Sequence, residues 1–142
     1  MCMGRLLGLA VWVSRNVEIR GLYMDDLYLW SCYGEQSFLE YVFPIGSTRF
    51  RFLYYLAAWL EMAVVGNHVS WFVPINILVN TGVAWTMYFM GRSLSRSKAV
   101  GFLCGAMYLV TRMAYYQIGQ LLGLMETMAL WMALGLLWCL YR

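Results

Sequence analysis

Charge is what this sequence has least of. Asp, Glu, Lys and Arg make up 12% of its 142 residues, where a soluble domain carries about a quarter. Histidine is nearly absent too. The single one, His68, lies between two apolar segments and reads as a surface or capped loop residue. The four cysteines, Cys2, Cys32, Cys104 and Cys139, form no CxxC pair and have no histidine near them. A zinc or redox centre needs several convergent ligands, so neither is supported. Cys104 and Cys139 sit in apolar runs and read as packing residues. The arginines are scattered, and no basic stripe interleaved with aromatics stands against a phosphate backbone, which excludes nucleic acid as a partner. Internal repeats and low-complexity linkers are also missing.

What is present is apolar and aromatic. Hydrophobic residues make up 63% and aromatics 18%, with 7 Trp and 11 Tyr. A water-soluble core of this size cannot bury that much, because small domains leave much of their surface exposed. Lipid is the natural solvent for the remainder. Tyr and Trp favour the headgroup level. The expectation is an all-α fold: polytopic integral membrane helices with an external loop and interfacial helices.

Residues 1–14 hold a short apolar run, Leu6 to Val13, flanked by Arg5 and Arg15. A span needs about 20 residues. No small-residue cleavage site follows the run, so it reads as the tail of a truncated first transmembrane helix. Residues 15–49 mix Glu18, Asp25, Asp26, Glu35 and Glu40 with Tyr and Trp, which suits a loop or short helices at a membrane surface. Cys32 lies within it and is expected to be accessible to water. Pro44 and Gly46 break the chain, and Ser47 or Thr48 is placed to cap the next helix. Over residues 50–66, helical spacing puts Arg51, Tyr54, Tyr55, Ala58 and Glu61 on one side. Leu53, Leu56, Ala57, Leu60 and Val64 fall on the other. This is an amphipathic interfacial helix, because Arg51 and Glu61 inside lipid would be costly. Residues 71–90, 99–118 and 121–141 read as three transmembrane helices. Asn76 and Asn80 share an inward face of the first. Arg112 and Glu126 are the charges of the second and third.

Cytoplasmic loops are enriched in Lys and Arg. GRSLSRSK, residues 91–98, is the densest basic loop and is expected inside. The turn at Gln117 to Gln120 is then outside, and so is the acidic loop if residues 50–66 lie at the interface; if they span, that loop moves to the cytoplasm. The expected location is the plasma membrane of a bacterium, with the acidic loop facing outward. Arg112 and Glu126 each lie seven positions from Gly119, about 10 Å along antiparallel helices. They are expected at similar depth, facing each other as a pair.

Asp25 and Asp26 sit in MDDLYLW. Two adjacent carboxylates can position a divalent cation, or one can take a proton from an acceptor hydroxyl. They can equally be a solvated pair at a helix start, where Asp is favoured. The cofactor stays open on these grounds, with a divalent cation as one possibility.

The ordered set GLYMDDLYLW, STRFRFLYYLAAWLEMAVVG, NILVNTGVAWTMYFMGRSLSRSKAV and YYQIGQLLGLMETMALWMALGLLW resembles the C-type glycosyltransferase superfamily. Its members include the protein O-mannosyltransferases and the aminoarabinose transferase that modifies lipid A. The resemblance covers roughly residues 15 to 142. It implies transfer of a sugar from a polyprenyl-phosphate carrier to a glycan, lipid or protein acceptor outside the cytoplasm. Asp25 matches the family's acidic residue of the first external loop, the base or acceptor-positioning group. Asp26 matches the second acid of that motif, and Glu126 an acid near the outer end of a later helix. Arg112 is the candidate contact for the donor phosphate. The family's later spans and C-terminal domain lie outside this chain, so the resemblance implies an N-terminal part that is inactive by itself. The competing reading is a small non-catalytic polytopic membrane protein or a transporter fragment, which would more often place its charges in broken helices near the midplane.

Overall fold

The structure is a computed structural model and describes residues 2–19, 25–44, 51–66, 68–120 and 123–141. Within these residues it is all helical, with no strand. The elements are α1 (Cys2–Val13), α2 (Asp25–Glu35), α3 (Phe38–Val42), α4 (Phe52–Val65), a 3₁₀ turn (Val69–Trp71), α5 (Phe72–Ser95), α6 (Lys98–Leu109), α7 (Arg112–Ile118) and α8 (Gly123–Tyr141). Among the described residues, one stretch, Val69–Ser95, is by length and composition long and apolar enough to cross a membrane.

Two apolar clusters organise the molecule. The first joins α2, α3 and α4 around Leu29, Tyr41, Ala58 and Met62, and reaches α5 through Phe72. It is rich in ring contacts. Trp59 meets Phe38 at 4.8 Å and Tyr33 at 5.8 Å, while Trp30 meets Phe72 at 6.2 Å. The second joins α1, α5 and α6 around Leu6, Ala10, Val83, Ala84, Tyr88 and Leu109. The helices α2 and α3 of the acidic, aromatic segment are therefore packed, and Cys32, expected at the water, is buried.

The α5–α6 hairpin is drawn together by glycine. A Cβ on Gly105 would lie 2.7 Å from the Ala84 carbonyl oxygen, and one on Gly101 2.6 Å from that of Tyr88. No side chain fits at either place, so the two backbones approach as small residues allow. α1 lies across this hairpin, with Leu6 beside Gly105 and the Met3 carbonyl accepting from Trp85 Nε1 at 3.1 Å.

The helix expected over 99–118 is two helices. Thr111 stops one and starts the other. Its hydroxyl donates to the Tyr108 carbonyl at 2.7 Å and accepts from the Ala114 amide at 3.2 Å. A threonine that bonds to local backbone offers the chain an alternative to a continuous helical ladder. α5 runs beyond the expected 71–90, ending after Ser95. Pro74 occupies its first turn, where a missing N–H costs nothing.

α4 keeps the expected grouping of faces but turns it inward. Tyr54, Ala58, Glu61, Met62 and Val65 are buried, while Leu53, Leu60 and Val64 are exposed, Val64 by 80%. Its side carrying glutamate packs on the protein and its leucine side points away. Gly66 ends the helix at φ 57°, a left-handed value natural to glycine. The caps expected at Ser47 or Thr48 lie outside the described residues. α3 starts at Ser37, whose amide and hydroxyl both donate to the Glu40 carboxylate, at 3.0 and 2.7 Å. Those bonds hold the Glu40 carboxyl below its usual range.

Candidate functional site

Polar side chains are gathered where α5 begins and α7 hands over to α8. Asn76, on the second turn of α5, donates through Nδ2 to the carbonyls of Ile118 and Gln120, at 3.3 and 3.1 Å. These are carbonyls that the end of α7 leaves unpaired. One turn on, Asn80 Nδ2 donates to the Asn76 carbonyl at 3.0 Å, which fixes its Oδ1 as the acceptor for Tyr108 Oη at 2.6 Å. Gln117 stands 3.0 Å from Tyr108 Oη and 3.2 Å from Thr127 Oγ1, with its Oε1 toward both hydroxyls and its Nε2 unpartnered among the described residues. A phenol has one proton, and Tyr108 gives it to Asn80. Turning the Gln117 amide over lets its nitrogen donate to both hydroxyl oxygens and leaves Oε1, in place of Nε2, as the atom without a partner. Asn76, Asn80, Gln117 and Thr127 are each 1% exposed. The network thus locks α5, α6, α7 and α8 together with the polar atoms inside.

Above this lock is a cleft of 410 Å³, lined by Asn16, Val17, Glu18, Tyr115, Tyr116, Gly119 and Gln120. The turn after α1 forms one wall, closed by the Val17 amide donating to the Ser14 carbonyl at 2.9 Å. α7 forms the other wall. Val17 Cγ1 is 3.4 Å from where a Cβ on Gly119 would be, so the walls meet at the base. Arg112 stands at the edge. Its Nη2 donates to Tyr116 Oη at 2.8 Å, and its guanidinium lies 5.1 Å from the centre of that ring. A carboxylate, two amides and two phenols around one opening can bind hydroxyl groups, and the guanidinium beside it can bind a phosphate.

The sequence-expected residues are distributed as follows. Asp25 and Asp26 open α2, in its first turn. Their side chains lie outside the described residues. Glu126 is exposed in the first turn of α8, where its charge complements the helix N-terminus. Arg112 is exposed in the first turn of α7 and bonds within its own helix. No ion pair joins it to Glu126 among the described residues, so the expected facing pair is replaced by the Arg112–Tyr116 contact. The break at Thr111 removes the straight helix on which the pairing rested. Among the described residues, no three His, Cys, Asp or Glu side chains are grouped to hold a metal.

Glu18, Tyr115, Tyr116, Gln120 and Glu61 are the residues that sequence reasoning did not single out as a site. The string YYQIGQ carried the signal for three of them, as polar groups at the end of an apolar stretch. Glu61 is 8% exposed and its Oε1 has no hydrogen-bond partner among the described residues. Burial pushes its carboxyl up to about 7. No family model, curated protein or solved structure matches the chain.

Proposed function

We propose that the chain is a polytopic membrane protein working in a glycosyltransferase that takes a sugar from a polyprenyl-phosphate carrier. The membrane part of this reading is supported by a buried polar network beside large apolar side chains left on the surface. Asn76, Asn80, Thr81, Gln117 and Thr127 are buried to 1% or less, while Leu78, Leu103, Met107, Leu136, Leu137 and Leu140 are exposed by more than half. Lipid tails favour apolar side chains on the surface, and buried polar groups that satisfy one another suit a chain surrounded by lipid.

The catalytic part rests on one observation, the cleft of Glu18, Asn16, Tyr115, Tyr116 and Gln120 with Arg112 at its edge. It opens at the end of the bundle, opposite the basic hairpin of residues 91–98. An isoprenoid lies in the bilayer while its phosphate and sugar reach the surface, so a polar cleft with a cation beside it fits that junction. Asp25 and Asp26 start a helix of the aromatic layer, and Asp25 is the group proposed to accept the acceptor's proton. The test is transfer of a radiolabelled sugar from its polyprenyl-phosphate, in membranes of cells that make the protein. Asp25→Asn keeps the size and loses the base, so turnover should fall about 10²–10⁴-fold. An unchanged rate would reduce Asp25 to a helix-start residue.

The α6–α7 break favours the second reading, a transporter-like protein. It places Arg112 at the start of a half-helix, as carriers do with charged groups. Accumulation of an anionic solute in vesicles, lost in Arg112→Met, would favour that reading over sugar transfer.

A further inference from the structure

At the other end of the bundle α5 and α8 run side by side, ending at Ser95 and Tyr141. Between them is a groove of 740 Å³, lined by Thr86, Phe89, Met90, Arg92, Ser93, Arg96, Gly135 and Trp138. Its two halves differ in chemistry. Phe89, Met90, Gly135 and Trp138 give an apolar wall along the helices. Arg92 and Arg96, one turn apart on the same face, stand with Ser93 at the open end.

Acidic residues are remote from these cations in sequence. The sequence has no Asp or Glu between Glu61 and Glu126, and none after Glu126. Neither guanidinium has an ion pair among the described residues. Arg96 also holds the left-handed position that ends α5, at φ 55°. That position ordinarily falls to glycine. Gly135, on the facing helix, leaves the groove open, with nothing within 4 Å of where its Cβ would be.

We infer that this groove binds an anionic phospholipid, with its phosphate on Arg92 and Arg96 and an acyl chain along Phe89, Gly135 and Trp138. The inference rests on the membrane reading above and is independent of the glycosyltransferase reading. A guanidinium pair matches a phosphate, and the apolar wall continuing from it matches the tail attached to that phosphate. Basic pockets between helices on the cytoplasmic side are where such headgroups bind.

The experiment uses the full chain in dioleoylphosphatidylcholine vesicles, with about one fifth of the lipid brominated on its acyl chains, as phosphatidylglycerol or as phosphatidylcholine. Bromine quenches a tryptophan that it touches. Subtracting the Trp138→Phe variant isolates Trp138 from the other six tryptophans. Quenching of Trp138 should show a preference for phosphatidylglycerol of about fivefold for each guanidinium engaged. Arg92→Gln with Arg96→Gln should bring the preference to near one. Gly135→Leu, whose Cβ has open space around it, should do the same by filling the groove while leaving the charges in place. Equal quenching by the two lipids in the native chain overturns the site. So does a preference that survives Gly135→Leu, which would be general surface charge. A chain that fails to float with the vesicles overturns the membrane reading and the site with it, whereas floating with equal quenching overturns the site alone.

Discussion

Glu61 carries its carboxyl where a carboxylate is poorly solvated. Its folded-state value of about 7 lies above its ordinary value of 4.5. The folded protein therefore keeps a proton that the unfolded chain releases between those two values. Stability falls as pH rises through that window and is level above about 7, a total of about 3 kcal/mol. Thermal unfolding in detergent at pH 5 and pH 8 should show this loss, and Glu61→Gln should flatten it. An equally steep profile in the Gln variant would assign the dependence to another group. Tyr108 is a second residue with a definite expectation. Tyr108→Phe leaves Asn80 Oδ1 without its donor and takes an acceptor from Gln117, which should cost about 1–3 kcal/mol. Asn80→Leu combined with Tyr108→Phe should restore part of that loss, because replacing both partners with apolar groups leaves fewer polar atoms unsatisfied. At this scale the sequence was partly legible. The four-residue spacing of Asn76 and Asn80 identified an inward face. Their partners were not legible, since Tyr108 and Ile118 lie 28 and 42 positions further along the chain. Arg112 took the nearer of two choices: Tyr116, one turn away on its own helix, is reached without any tertiary packing.

Among the elements, the α5–α6 hairpin depends on what Gly101 and Gly105 lack. Gly105→Leu would drive a side chain into the Ala84 carbonyl and Leu6. Backbone cannot yield as a flexible side chain does, so the loss should reach or exceed the 1–3 kcal/mol typical of overpacking. Folded yield in detergent would measure it, against Gly135→Leu as the innocuous control. The apolar runs of α5 and α8 were legible because length and scarcity of charge suffice to mark them. The break between α6 and α7 was not, because both halves are apolar and the only sign is Thr111 in their midst. Thr111→Val keeps the shape and loses the cap, which should destabilise by about 0.5–2 kcal/mol. For α4, spacing sorted the two faces correctly. Which face turns outward depends on the solvent, and the lipid of the proposed membrane reading would invert the ordinary assignment.

At the scale of the whole molecule, the proposed membrane reading sets the long axis of α5 along the membrane normal, with the polar groups at its two ends. Gln36 and Lys98 are exposed near opposite ends. Each can be changed to cysteine in a background with the four native cysteines replaced by serine. An impermeant maleimide on intact cells should label Gln36→Cys, and reach Lys98→Cys only after permeabilisation. The reverse pattern would invert the proposed orientation. The Asn76 bonds also impose an order on synthesis. Their carbonyl partners lie 42 and 44 residues downstream. At about 5–20 residues per second, a ribosome takes seconds to deliver them. Throughout that interval the amide must find water or headgroups as temporary company. The start of α5 can therefore settle only after the turn that follows α7 has emerged, and elongation rate between those points becomes a variable of assembly.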